Sequence, residues 1–364
     1  MSPITASAPE SRDFQNDLPL HPAARELLYY FFDSAWPDPT KIHHRSASLR
    51  NNLNVAREVI AGHLGIQNSE LEIVGEIGFG FHVALSGLLL DSTTHLFLGA
   101  IDRQVVHGLA RQHSQRGGSV TVLQPDDQGR IDYSNAHQPA NSTISWQATN
   151  REVGVIQDKP EKSYGTAIFA DMTSSFPLDR LPESWDSAVW DPRAFAGPQG
   201  IALIGISGNG SWRNPGPELD KRRVYGSFSK PLLLATAVAI ENWAKSSQEE
   251  MEKLKKLHQF LSAELQKRIS SIHVVLPPQG DPRYLAFVID NVIAEEILRK
   301  VEVEGFLIDA GSACGAGALS PSHVLTSMGY KPDGNFRLTL KPHHSEADCK
   351  ALVDALVKGI AAST

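Results

Sequence analysis

Residues 185–207, WDSAVWDPRAFAGPQGIALIGIS, hold the pattern that decides the fold. Two apolar runs, SAVW and IALIGI, flank a corner that contains Gly197, Pro198 and Gly200. Short apolar runs that are bounded by glycine and proline are typical of buried strands joined by a turn. The stretch therefore predicts two buried strands of one sheet, and it contains no lysine.

Similar runs occur upstream and alternate with helical patterns. THLFLGA, SVTVLQP, TISWQA and GTAIFADM are short apolar runs, whereas RNNLNVAREVIAGHLGI and VVHGLARQHSQRGG have apolar residues at helical spacing. This alternation predicts a mostly parallel α/β sheet with helices on both faces. After about residue 235, one or two long charged helices lead into a small α+β unit.

The predicted organisation has three parts. Residues 1–17 are polar, lack a basic-then-apolar signal pattern and are expected to form a disordered leader. Residues 18–240 form a large α/β domain, with N-terminal helices that belong partly to the small domain. Residues 241–364 form the small C-terminal α+β domain.

Composition narrows the classes of function. The formal net charge of −7 argues against a nucleic-acid partner and against an anionic membrane surface. No apolar run reaches the length of a membrane span, and no histidine pair has zinc-ligand spacing beside cysteines, so neither a membrane segment nor a metal is expected. The two cysteines, Cys314 and Cys349, suit a reducing cytoplasm.

A glycine-rich segment, GEIGFGF at residues 75–81, follows a predicted strand and precedes a predicted helix. Backbone N–H groups at such a position can bind phosphate. The spacing of Gly75, Gly78 and Gly80 departs from G-x-G-x-x-G, and no P-loop Lys-Ser/Thr follows. A phosphate site and a plain tight turn both remain open at this point.

Residues 305–330, GFLIDAGSACGAGALSPSHVLTSMGY, resemble the S-x-G-S-A-C loop of the cysteine desulfurases, a group within the class V aminotransferases. TNREVGVIQ, GTAIFADM, GPQGIALI and NFRLTL resemble further segments of that family in the same chain order. The resemblance covers nearly the whole chain from about residue 18. It implies the fold type I architecture of pyridoxal phosphate (PLP) dependent transferases, and a homodimer.

The resemblance also implies roles for three residues. Cys314 would be the loop nucleophile that leaves as a persulfide, and Arg337 would bind the substrate carboxylate in two-point contact. Asp171 would pair with the pyridine nitrogen of PLP and keep the ring protonated, so that the ring can take up electrons. Cys349 lies in the last helical pattern and is expected in the core.

The departures from the family concentrate on the cofactor. The aldimine lysine falls on Ala194, and the histidine before it falls on Arg193. Removing that lysine removes the covalent anchor of PLP and the usual base. The other expected cofactor contacts fall on Gly78 (phosphate threonine), Asp102 (ring-stacking histidine), Arg151 (asparagine), Ser174 (glutamine) and Ser227 (a threonine that reaches the partner subunit's phosphate).

Two further positions add negative charge where a dianionic phosphate would lie, Glu76 and Asp191. Like charges repel there, so PLP affinity and desulfurase turnover are both expected to be low. A relocated lysine is the alternative, because S-F-S-K at residues 227–230 resembles the lysine motif of class I aminotransferases. In that hypothesis Lys230 carries the cofactor.

Three functions remain open from the sequence. The first is a desulfurase-like protein that is degenerate for PLP aldimine chemistry and acts through Cys314 as a sulfur carrier, or as a regulator. Its partners would be a sulfur-acceptor protein or an active desulfurase. The second is an active PLP-dependent desulfurase or aminotransferase that uses Lys230 or non-covalent PLP. The third is a protein that binds a small anion or amino acid through Arg337, Arg151 and Arg193.

Overall fold

The computed structural model describes residues 10–15, 17–32, 37–134, 141–175, 181–217, 223–224, 227–311, 321–331 and 333–362. Cys314 lies outside the described residues. Within the described ranges, no helix combines the length and the apolarity that crossing a bilayer requires.

A seven-stranded sheet forms the centre of the large domain. From one edge to the other, its strands are β1 (Leu71–Val74), β7 (Ala202–Ile206), β6 (Ser187–Trp190), β5 (Thr166–Asp171), β4 (Ser142–Gln147), β2 (His95–Gly99) and β3 (Ser119–Leu123). The strands from β3 to β6 are parallel, and β7 runs antiparallel to both β6 and β1. All residues of β4 to β7 are buried, which explains their continuous apolar runs. The predicted mostly parallel sheet is confirmed.

Helices cover both faces of this sheet. They are α1 (Pro22–Phe32), α2 (His44–Leu64), α3 (Ile77–Ser86), α4 (Gln104–Gln115) and the 39-residue α5 (Lys230–Arg268). The apolar side chains of α2 and α5 share one core with the sheet, and those of α3 and α4 share a second core on the other face. The doubly covered sheet is the fold type I large domain that was predicted.

The small domain contains an antiparallel sheet in the order β10 (Asp309–Ala310), β11 (Asn335–Thr339), β9 (Tyr284–Ile289) and β8 (Ile272–Val275). It packs with α6 (Ala294–Val303) and α8 (Glu346–Ala361), and the short α7 (His323–Ser327) lies between β10 and β11 in the chain. The predicted α+β unit is confirmed. The long charged pattern is the single helix α5, and the predicted boundary at residue 240 falls inside it.

The N-terminal segment contributes to the small-domain core. Residues 10–15, which were placed in a disordered leader, begin with a 3-10 turn (Glu10–Arg12) and pair with Leu307 through Asp13. Phe14 is 0% exposed and stacks on His344 at a centroid distance of 4.1 Å. Phe14 also exchanges backbone hydrogen bonds with Leu307 and Thr339, so the ring and the backbone together hold this polar segment on the small domain.

The glycine-rich segment also differs from its prediction. Helix α3 begins at Ile77, so Gly78 and Gly80 lie in its first turn rather than in a loop. A Cβ on Gly80 would approach the side chains of Val189 and Ala202 to 3.2 and 3.3 Å. This glycine therefore allows the helix to lie close against the sheet.

We expect Phe14→Ala to lower the free energy of unfolding by about 3 kcal/mol, because it removes a fully buried ring and leaves a cavity. Val303→Ala, at a side chain that is 85% exposed, is the control and should change it by less than about 0.5 kcal/mol. Urea unfolding of the two variants measures the difference. Equal midpoints would show that the N-terminal segment contributes nothing to the fold.

Candidate functional site at the carboxyl ends of the parallel strands

The candidate site lies where the parallel strands end, the usual position for ligands in open α/β sheets. Asp171 is the last residue of β5, Asp191 follows β6, and Asp102 follows β2. A cavity of about 240 Å³ opens here and is lined mainly by Arg103, Gln147, Arg151, Glu152, His323 and Arg337. The topology thus brings together side chains from both domains.

Asp171, the residue expected to face a pyridine nitrogen, is engaged within the chain. It is 2% exposed, and its Oδ1 accepts hydrogen bonds from the backbone N–H (2.9 Å) and hydroxyl (2.5 Å) of Thr173. Its Oδ2 lies 3.3 Å from Nε2 of Gln147 and 3.3 Å from Nε of Arg103. The guanidinium of Arg103 therefore supplies the positive charge that the carboxylate needs.

Arg103 was not identified from the sequence. It is the residue before α4, and its Nη2 donates a hydrogen bond of 2.6 Å to the hydroxyl of Ser174. The only local signal for it was its position directly after Asp102, beyond the end of a buried parallel strand. Polar residues at such strand ends are candidates for a site in this class of sheet.

A second unpredicted arginine occupies the surroundings of Ala194. Arg283 is 3% exposed and forms a two-point ion pair with Asp281, which is also buried. It donates to the carbonyl of Ala194 (3.1 Å) and to the carbonyl of Ser174 (2.7 Å). One guanidinium from the small domain therefore joins two positions where the family resemblance expected cofactor ligands.

The start of α3 is capped by the chain itself. Both carboxylate oxygens of Glu76 accept hydrogen bonds of 2.7 Å, one from the N–H of Gly78 and one from the N–H of Phe79. A Cβ on Gly78 would lie 3.1 Å from Oε2 of Glu76, so glycine leaves the room that this carboxylate takes. The exposed Ser227 lies close by, since its carbonyl oxygen would be 3.0 Å from a Cβ on Gly75.

Arg151 and Arg193 also have carboxylate partners. Asp17 accepts from Nη2 of Arg151 at 3.0 Å through Oδ1 and lies 3.1 Å from Nη1 of Arg193 through Oδ2. Arg193 forms a second ion pair with Asp191 at 2.5 Å. These two arginines, expected near the cofactor, thus share one carboxylate from the N-terminal segment.

Arg337, the expected binder of a substrate carboxylate, lies on β11 and faces two acidic residues. Its Nη2 is 3.1 Å from Oδ2 of Asp309, and its Nη1 is 3.7 Å from Oε2 of Glu152. Burial raises the pKa of Glu152, although the charge of Arg337 and a hydrogen bond from Ser322 oppose that shift. Arg337 lines the cavity, and there it is already paired with carboxylates of the chain.

Asp102, at the position of the ring-stacking histidine, is a buried carboxyl group. It is 1% exposed and accepts a hydrogen bond of 2.8 Å from the hydroxyl of Ser145. Burial, together with the negative charge of Asp171, raises the pKa of Asp102 to about 8. The side chain therefore carries a proton at neutral pH.

The remaining predicted residues lie apart from this cluster or outside the described chain. Lys230 is the first residue of α5. Its positive charge helps to lower the pKa of Asp38. Cys314 is outside the described residues. Cys349 is 0% exposed, and burial raises the pKa of its thiol to about 12, so it is a core residue as expected.

PLP requires an amine for its aldehyde, a partner for its pyridine nitrogen and a site for its phosphate. Position 194 is an alanine, Asp171 is paired with Arg103, and the N–H groups at the start of α3 are bonded to Glu76. As they stand, the described residues do not fit PLP in the orientation that the family resemblance implies.

The sequence and structure neighbours of this chain are cysteine desulfurases, and its fold is that of the fold type I class V aminotransferases. It is 24% identical to a cysteine desulfurase IscS of Dictyoglomus turgidum, over 94% of this chain and 92% of the relative. It is 27% identical to one from Rickettsia bellii, over 87% and 82%. No family model matches the chain.

Solved structures show the same fold. A NifS-like protein superposes with a TM-score of 0.84 at 19% identity, over 96% of this chain and 99% of the other. A crystal structure of the cysteine desulfurase CsdA from Escherichia coli superposes with a TM-score of 0.81 at 14% identity, over 97% and 96%. The likeness therefore extends over both domains.

The pKa of Asp102 gives a prediction about stability. The folded chain holds the proton of Asp102 more tightly than the unfolded chain does. Protonation of Asp102 therefore adds to the free energy of unfolding below the unfolded pKa of 3.8, and this added stability is lost as pH rises towards about 8. Asparagine cannot take up this proton. We therefore expect the free energy of unfolding of Asp102→Asn, minus that of wild type, to increase by about 1.4 kcal/mol per pH unit between pH 3.8 and about 8. Above about pH 8 the difference should level off.

Urea unfolding at several pH values measures this difference. Glu161→Gln, at an exposed side chain, is the control. Its free energy of unfolding should differ from that of wild type by the same amount at every pH. A difference for Asp102→Asn that does not depend on pH would contradict a carboxyl group that is protonated in the folded chain.

Proposed function

We propose that this chain is a cysteine desulfurase-like protein that does not perform the chemistry of lysine-bound PLP. Its role is in sulfur transfer, either as a carrier through Cys314 or as a regulatory partner of sulfur-transfer proteins. By analogy with its relatives, it would act as a homodimer in the cytoplasm and would meet a sulfur-acceptor protein or an active desulfurase.

The observation that carries this proposal is the ion pair of Arg103 and Asp171. A pyridinium nitrogen would have to displace a guanidinium that also holds Ser174. Displacing it would leave the guanidinium, whose side chain is 25% exposed, without its ion pair to Asp171, and removing one partner of such a pair is unfavourable. Ala194 offers no covalent bond with which to offset that cost.

The carrier role requires a donor that already holds sulfur. The thiolate of Cys314 would attack the terminal sulfur of a persulfide R–S–SH on an active desulfurase. The S–S bond of the donor breaks, a new S–S bond forms on Cys314, and the donor leaves as a thiolate. Only a reactive thiolate can do this. Cys349 is unsuited to the task, since its thiol is buried and stays protonated.

We expect wild-type protein that is incubated with PLP and then dialysed to keep no visible absorbance band. Ala194→Lys alone should stay colourless, because Arg103 and Glu76 still hold their contacts. Borohydride reduction and peptide mapping provide a second readout. A pyridoxyl group on Lys230, and a band that Lys230→Gln abolishes, would overturn the proposal in favour of an active enzyme with a relocated lysine.

The carrier role gives a separate prediction. Wild-type protein should acquire a persulfide label when it is mixed with an active desulfurase and cysteine, and it should acquire none when that desulfurase is omitted. Cys314→Ser should lose the label, whereas Cys349→Ala should keep it because Cys349 is a core residue. Equal labelling of wild type and Cys314→Ser would rule out a carrier role for Cys314 and leave only the regulatory one.

A further inference from the structure

The carboxylate of Asp17 lies between two guanidinium groups. Its Oδ1 is 3.0 Å from Nη2 of Arg151, and its Oδ2 is 3.1 Å from Nη1 of Arg193. The three side chains are 21%, 31% and 30% exposed, so solvent reaches all of them. Two arginines around one carboxylate form a strong, directional receptor, because charge-assisted hydrogen bonds are about twice as strong as neutral ones.

The two arginines differ in how much they depend on Asp17. Arg193 has a second carboxylate partner, Asp191, at 2.5 Å. Among the described residues, Asp17 is the one carboxylate within ion-pair distance of Arg151. Without Asp17, therefore, Arg151 would have no ion-pair partner among the described residues and would lie close to a second guanidinium, that of Arg193.

The position of Asp17 joins two cavities. Asp17 and Arg193 line a cavity of about 570 Å³, whose wall includes the apolar side chains of Leu18, Leu28 and Leu232. Arg151 lines the cavity of about 240 Å³ at the carboxyl ends of the strands. The two guanidinium groups would bind a carboxylate, and the apolar wall beside them would contact a short hydrocarbon chain attached to it.

We propose that Arg151 and Arg193 form a binding site for the carboxylate of a short aliphatic acid, and that Asp17 fills this site in the free chain. Asp17 then acts as a tethered competitor. The site requires neither PLP nor Cys314, so it stands or falls independently of the proposed sulfur chemistry.

The segment around Asp17 allows such an exchange. Phe14 anchors it on one side in the small-domain core, and the N–H of His21 anchors it on the other through a 2.8 Å hydrogen bond to the carbonyl of Ala196. Displacing the carboxylate therefore requires only a local change between two fixed points. A tethered group competes at an effective concentration on the order of millimolar, so removing its charge should strengthen the binding of a free acid.

Thermal unfolding with sodium butyrate, at an ionic strength held constant with sodium chloride, tests the proposal. We expect Asp17→Asn to be stabilised by butyrate at concentrations at least about tenfold lower than wild type, because the competing charge is gone. Acetate shares the carboxylate but lacks most of the chain, and should act more weakly. The double variant Asp17→Asn with Arg151→Gln should lose the response.

Glu72→Gln is the matched control, because Glu72 also pairs with an arginine, Arg223, but lines neither of the two cavities. It should respond to butyrate as wild type does. The proposal is overturned if Asp17→Asn shows no stabilisation beyond that given by chloride, or if Glu72→Gln gains the same response. A lower starting melting temperature in Asp17→Asn leaves the test intact, since the measured quantity is the shift with butyrate.

Discussion

Burying a carboxylate at the end of the middle strand of a sheet requires a positive charge beside it. Asp171 is that carboxylate, and Arg103 supplies the charge. The same arginine holds the hydroxyl of Ser174, whose carbonyl accepts from Arg283 of the small domain. The arrangement of the cleft, and part of the contact between the two domains, therefore depends on how this one carboxylate is neutralised.

The same solution recurs around the cleft. Arg337 faces Asp309 and Glu152, and Arg151 and Arg193 face Asp17. Pairs of this kind add little net stability when they form, because desolvation offsets much of the attraction, yet removing one partner is costly. These ion pairs therefore fix the arrangement of the side chains in the cleft but add little to the free energy of unfolding. A single substitution at position 194 would restore a lysine to surroundings that already satisfy their own charges.

Local sequence patterns predicted the elements better than the contacts. The apolar runs of β4 to β7 predicted a sheet that is buried on both faces. The family resemblance, and not a local pattern, singled out Asp171, which is the last residue of β5. The start of α3 was misplaced, because the side chain of Glu76 caps the helix earlier than the glycines suggested. The place of residues 10–15 was missed because the groups that hold them, such as Leu307, Thr339 and Lys341, lie about 300 positions further along the chain.

The partners of the arginines could not be predicted, since they come from distant parts of the chain. Ser174 accepts hydrogen bonds from Arg103, 71 positions before it, and from Arg283, 109 positions after it. Asp17, the partner of Arg151, lies 134 positions before that arginine. The path of the whole chain through the fold decides such pairings, and no local period encodes it. The substitutions at positions 102, 151 and 193 were interpreted as lost cofactor contacts when the sequence was considered alone.

In the folded chain these positions have definite roles. Arg151 and Arg193 each gain a carboxylate partner, and Asp102 becomes a buried acid that keeps its proton. A protonated Asp102 beside Asp171 means that Arg103 has one negative charge to balance instead of two. The charges of Arg103, Arg151 and Arg193 are therefore balanced by carboxylates of the chain itself, and the neutral Asp102 adds no further charge to this cluster.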